Sequence, residues 1–127
     1  MADHRATITE LYRMLDASDR ASVGRLFTGE VEFRFGNSQP GRGDEALFAV
    51  GRRLRAVAPE VLHDLRTVFV DAEADVAVAE IDMTYRGPDR VLEAPATAVF
   101  RFDQAGLITH YHVYLDISPL GLDTSTW

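Results

Sequence analysis

Up to about residue 60 the apolar positions recur mostly at helical spacing, and beyond it they alternate. Ile8, Leu11, Tyr12 and Leu15 predict an amphipathic helix over about 4–16 with Asp3 as its N-cap. Asp16-Ala17-Ser18-Asp19 breaks that pattern, and Asp19 is placed to cap a second, short helix carrying Val23, Leu26 and Phe27, which Thr28-Gly29 ends. Val31, Phe33 and Phe35 then alternate as a strand. Gly36 to Gly43 is loop by composition, and Asp44 is placed to cap a third helix that carries Leu47, Val50, Leu54 and Val57 on one face and stops at Pro59. Strands are predicted at 61–70, 76–86, 91–102 and 107–117, an antiparallel meander. Helices first and a long sheet afterwards is an α+β layout, in which helices cover one sheet face and a cavity can remain between the layers.

Composition narrows the chemistry. A chain of 127 residues with 46% apolar content is expected to form one domain, 1–127. Twenty acidic against 13 basic residues give a net charge of -7 and no basic stripe, which argues against nucleic acid as a partner. All the basic residues are Arg and there is no Cys, so neither a lysine Schiff base nor a cysteine thiolate is available for covalent catalysis. No apolar run approaches the roughly 18 residues of a membrane span, and no apolar signal core follows Met1, so the expectation is a cytoplasmic protein without a membrane partner. Arg52, Arg53 and Arg55, near the end of the third helix, read as a solvated face that complements the helix dipole rather than as a phosphate site.

The candidate chemistry concentrates in the last strand. Alternation places His110, His112, Tyr114 and Asp116 on one face and Tyr111, Val113, Leu115 and Ile117 on the other. If the polar face runs into an interior, Asp116 loses solvation there, and its pKa rises from about 3.9 toward neutrality, which would make it a usable general acid or base. The competing reading has Asp116 capping the Ser118-Pro119-Leu120 turn. His63 opens the face His63, Leu65, Thr67, Phe69; a carboxylate on one ring nitrogen would leave the other free to move a proton near neutral pH. Tyr85 shares a face with Ile81 and Met83, and Tyr85, Tyr114 and the loop residue Asn37 could each donate to a substrate carbonyl or simply pack. The spacing His110-x-His112-x-x-x-Asp116 resembles the metal-ligand run of cupins, but about 20 Å would separate its ends along a straight strand and helices do not suit a jelly roll, so no metal is expected.

The element order, with Leu15-Asp16-Ala17-Ser18-Asp19 closing the first helix, Phe35-Gly36-Asn37-Ser38-Gln39-Pro40 leading to Gly43-Asp44-Glu45-Ala46-Leu47, His63 opening a strand, and the terminal Tyr111-His112-Val113-Tyr114-Leu115-Asp116, resembles the SnoaL-like branch of the nuclear transport factor 2-like superfamily, the ketosteroid isomerase-like fold. The resemblance implies a cone: three N-terminal helices packed on a curved, mostly antiparallel sheet. Its members include cyclases, dehydratases, isomerases, epoxide hydrolases and proteins without catalysis. The positions that resemble those of ketosteroid isomerases hold Phe33, Ala98 and Leu11 in place of the catalytic groups, and the epoxide-hydrolase resemblance matches Asp116 but offers only Ala79 and Ile81, or Glu80 and Asp82 one residue away, without the Arg. Scytalone dehydratase-like proteins are similar at Asp16 and His63, and SnoaL-like cyclases at Asp116.

The resemblance and the residues together imply a small enzyme without cofactor that carries out acid–base chemistry on an apolar oxygenated metabolite such as a polyketide or terpenoid. Asp116 and His63 would handle protons and Asp16 would orient His63. Tyr85, Tyr114, Asn37, His112 and Phe35 would contact substrate. The alternative is a non-catalytic module that shelters a ligand or serves in an assembly. The resemblance also implies a homodimer formed through the outer sheet face.

Overall fold

Asp3 accepts a hydrogen bond from the Ala6 backbone N–H at 3.0 Å and so starts α1 (His4–Asp16), as the sequence predicts. The computed structural model describes residues 3–127. Ile8, Leu11 and Tyr12 form the buried stripe of α1. Asp19 caps α2 (Arg20–Gly24) through the Ser22 N–H. This helix is shorter than its apolar spacing predicts: Phe27, assigned to it above, begins β1 (Phe27–Phe35) instead. The loop holds a two-residue strand, β2 (Gly41–Arg42), and Gly43, at φ +81°, occupies the N-cap position of α3 (Asp44–Val57). Asp44 and Glu45 thus fall in the first turn of α3, where negative charge complements the helix dipole.

The remaining strands are β3 (Glu60–Asp71), β4 (Val76–Arg86), β5 (Val91–Phe102) and β6 (Ile108–Tyr114). The sheet order is β2-β1-β6-β5-β4-β3, with β1 parallel to β6 and every other pair antiparallel. The meander is as predicted, and the return of β1 to the far side of β6 completes an open sheet whose inner face carries the helices. This is the α+β architecture expected from the sequence. No helix among the described residues is long and apolar enough to cross a membrane.

Two irregularities decide which side chains face inward. A register shift between Leu65 and Thr67 interrupts the alternation of β3: Val61, His63 and Leu65 point toward the helices, but beyond the shift Val68 is buried and Phe69 is 58% exposed. Thr67 and Phe69 therefore do not continue the His63 face, as strict alternation would require. In β6 the alternation holds and its orientation is reversed. Tyr111 and Val113 are buried against the helices, whereas His110, His112 and Tyr114 lie on the outer face. β6 sits between β1 and β5, so its inner residues form the floor of the layer and must be apolar in bulk. The strand also ends at Tyr114, before Asp116.

Candidate active site

Between the sheet and α1, α2 and α3 lies a cavity of about 450 Å³, large enough for a small metabolite. Its walls are predominantly apolar, with Val23, Leu47, Leu54, Phe33, Phe35 and Met83 among them. Four polar side chains reach it from the protein interior: Tyr12 from α1, His63 from β3, Tyr85 from β4 and Tyr111 from β6.

His63 is held by the end of α1. Its Nδ1 lies 2.7 Å from Asp16 Oδ1, and its backbone N–H donates to the same carboxylate at 3.2 and 3.3 Å. An ionised carboxylate only accepts, so Nδ1 carries the hydrogen and Nε2 is left as the basic nitrogen of the ring. The imidazole is 12% exposed and the carboxylate 28%. Water therefore reaches the Asp16 side of the pair while His63 stands on the cavity wall. The Tyr12 ring lies against the imidazole, 4.9 Å between centroids, and packing on one side with a hydrogen bond on the other fixes the ring.

Three phenols join His63 on the inner part of the lining, while Ser18, Asp19, Arg20, Arg52 and Arg55 also border the cavity. Tyr12 and Tyr111 hydroxyls are 3.0 Å apart. The Tyr85 hydroxyl is fully buried and has no hydrogen-bond partner among the described residues. An orphaned buried donor costs on the order of 1–3 kcal/mol. Burial pushes the Tyr12, Tyr85 and Tyr111 hydroxyls above the ordinary phenol range, so all three remain protonated donors near neutral pH.

That burial has a consequence in alkali. Below about pH 10 the phenols are neutral in both states; above it the unfolded chain releases protons that the folded chain keeps, so stability falls as pH rises. In a Tyr114→Phe background, which removes the half-exposed fourth tyrosine, phenolate absorbance at high pH should grow only as near-UV dichroism is lost. Reversible ionisation of the native protein would contradict the buried assignment.

The structure separates the sequence candidates. Asp16 and His63 come together, and Tyr85 and Phe35 line the cavity. Asp116 does not: it is exposed, accepts from the Ser118 N–H at 2.9 Å, and its carboxyl is held below its usual range by hydrogen bonds from the Ser118 backbone and side chain. The expected upward shift is thus reversed, because Asp116 is a turn cap in water. Tyr114 is 51% exposed on the outer face. His112 Nε2 lies 2.8 Å from Glu32 Oε2 on that same face, outside the cavity. Asn37 is exposed beyond the cavity lining, and its backbone N–H donates to Thr124 Oγ1 at 2.8 Å. Gly36 makes that turn at φ +58°, where a Cβ would meet Thr124 Oγ1 at 2.8 Å. Among the described residues, no group of three or more His, Cys, Asp or Glu could hold a metal ion.

Tyr12 and Tyr111 belong to the cavity but were not among the sequence candidates. Their signal was present as tyrosines on apolar faces, Tyr12 with Ile8 and Leu11, and Tyr111 with Val113. On β4 the register is settled too: Ile81, Met83 and Tyr85 face inward and are buried, while Glu80 and Asp82 are exposed. The epoxide-hydrolase resemblance therefore finds no carboxylate from β4 in the cavity.

A model of the SnoaL-like domain matches residues 8–111. The chain belongs to the SnoaL-like family. Solved structures agree in fold across the whole domain. Bal32a, from a soil-derived mobile gene cassette, superposes with a TM-score of 0.80 at 17% identity, covering 93% of this chain and 92% of its own. A proposed SnoaL-like polyketide cyclase from a Jannaschia species gives 0.79 at 18% identity, covering 98% and 92%. An NTF2-like protein of unknown function from Burkholderia pseudomallei gives 0.82 at 14% identity, covering 94% and 95%. No protein of curated function matches the sequence significantly. In this SnoaL-like domain, as in the cone expected for the family, sheet and helices enclose the cavity that holds His63.

Proposed function

We propose that this SnoaL-like protein is a cofactor-independent enzyme in which His63 moves a proton on an apolar, oxygenated metabolite such as a polyketide or terpenoid. The observation that carries the reading is the Asp16–His63 pair on the wall of an apolar cavity, with Nδ1 fixed at 2.7 Å and Nε2 left as the base. Asp16 is a positioning residue: it selects the tautomer and stabilises the imidazolium as it forms. Nε2 would take a proton from carbon next to a carbonyl, and the negative charge developing on that oxygen would be met by a buried phenol, for which Tyr85 has its hydrogen free. Return of the proton to carbon gives isomerisation. Attack of the enolate on a second carbonyl gives cyclisation, and protonation of a β-hydroxyl by the imidazolium gives loss of water. Epoxide opening is supported less, because Asp116 and the β4 carboxylates lie outside the cavity. The description of the Jannaschia relative as a proposed polyketide cyclase favours the first substrate class.

The test is a screen of polyketide β-ketones, their aldol products and terpenoid ketones, with products sorted by mass into unchanged or dehydrated. Turnover by the native protein that falls at least about a hundredfold in His63→Gln, with ligand binding retained, is the expected result. Binding of these compounds with no turnover, or turnover that survives His63→Gln, would replace the enzyme with a ligand-binding module or move the base elsewhere.

A further inference from the structure

The geometry points to an anion subsite at the cavity mouth, formed by Arg55 lying over Gly51, that selects substrates carrying a carboxylate at one end of an apolar body. This inference rests on the cavity being the substrate site and specifies what enters it.

Arg20, Arg52 and Arg55 all border the cavity, and their charges are compensated unequally. Arg20 and Arg52 share Glu45, at 3.2 and 2.7 Å, and Arg20 also stacks over Phe48 at 4.2 Å. On the neighbouring turn Arg53 covers Trp127 at 5.3 Å. Asp19, the acid that borders the cavity, is occupied in capping α2 through Ser22. Arg55 alone of these arginines has no carboxylate and no aromatic ring as partner among the described residues.

The helix dipole accounts for a cation in the last turn of α3 but not for where this one lies. A Cβ added to Gly51 would come within 3.1 Å of Arg55 Nη1, so the guanidinium folds back one turn and rests over the glycine. Both residues border the cavity. Glycine inside a helix is unfavourable in itself, and at this position its missing side chain gives the guanidinium its seat. The result is a planar, five-donor cation, exposed to solvent, beside a largely apolar cavity that is otherwise bordered by Ser18, Asp19, the ion-paired Arg20 and Arg52, the His63 imidazole and the phenols. A flat guanidinium matches a carboxylate in bidentate fashion. The chain's net charge of -7 opposes anions at range, but that field is screened over about 8 Å at physiological ionic strength, so at the mouth the local cation decides.

The experiment compares naphthoate with naphthamide, which match in shape and differ in charge, by calorimetric titration of the intact protein. The acid should bind a few-fold more tightly than the amide, up to about fivefold, the range of an ion pair to an exposed guanidinium. Arg55→Gln should erase that advantage and leave the amide unchanged. Gly51→Ala, whose Cβ would meet Nη1 at 3.1 Å and shift the guanidinium by only tenths of an ångström, should weaken the preference less than Arg55→Gln does. Equal binding of acid and amide, or a preference that survives Arg55→Gln, overturns the subsite while the cavity stands. Binding of neither overturns the cavity as a substrate site and this inference with it.

Discussion

Asp16→Asn is expected to lower turnover by about two to four orders of magnitude, whereas Asp116→Asn should leave it unchanged. The two carboxylates differ in what they touch. Asp16 holds both the ring and the backbone of His63. An Asn there is uncharged and offers an NH2 as readily as an oxygen, so it neither enforces hydrogen on Nδ1 nor stabilises the imidazolium. Asp116 touches only Ser118, and Asn serves as a turn cap about as well as Asp. The tautomer provides a readout independent of substrate. Ring nitrogen shifts should show His63 protonated on Nδ1 in the native protein and in Asp116→Asn, and a mixed tautomer in Asp16→Asn. A native tautomer mixture, or an activity loss confined to Asp116→Asn, would reinstate the last strand as the source of the acid.

That contrast also shows what was legible in the sequence. Periodicity located α1 and the four long strands closely, because each buries one regular apolar face and alternation in β is strict wherever one face is covered. It also sorted β6 correctly into two sets of side chains. What alternation does not encode is which set faces in. Polar residues on β6 suggested a site, yet the concave face of an enclosed cavity has to be apolar to exclude water, so its chemistry is carried by residues that pass as hydrophobic: Tyr12, Tyr85 and Tyr111, each buried with only a hydroxyl to offer. Asp16 and His63 are the exception, legible through the family resemblance although 47 residues apart. The bulge in β3 and the turn after Tyr114 were hidden because one extra residue, or one early strand end, leaves no compositional mark. Arg55 escaped for the opposite reason. In the sequence it is one of three similar cations, and only the fate of its neighbours in space, with Glu45 and Trp127 taken, sets it apart.

The largest effect on stability should come from Phe100→Ala, at about 3–5 kcal/mol. Phe100 is fully buried on β5, pairs with Ala77 and Tyr111 across the two neighbouring strands, and stacks on Tyr111 with 4.7 Å between centroids. Its edge also faces Tyr12 at 6.4 Å. The ring therefore supports from below both phenols of the 3.0 Å hydroxyl pair, though it does not itself border the cavity. Removing it leaves a void that rigid neighbouring strands cannot close, and denaturant unfolding should show a lower midpoint with a similar slope. Phe100→Leu, which keeps most of the volume and loses the stacking, should cost less, and the difference separates filling from aromatic geometry. If the floor positions the phenols, Phe100→Leu should also weaken ligand binding while the His63 tautomer stays native, since Asp16 and β3 hold the imidazole from the other wall. A loss below about 1 kcal/mol for Phe100→Ala would mean that the helices collapse into the space, and then the volume of the cavity would be set by helix position rather than by the sheet.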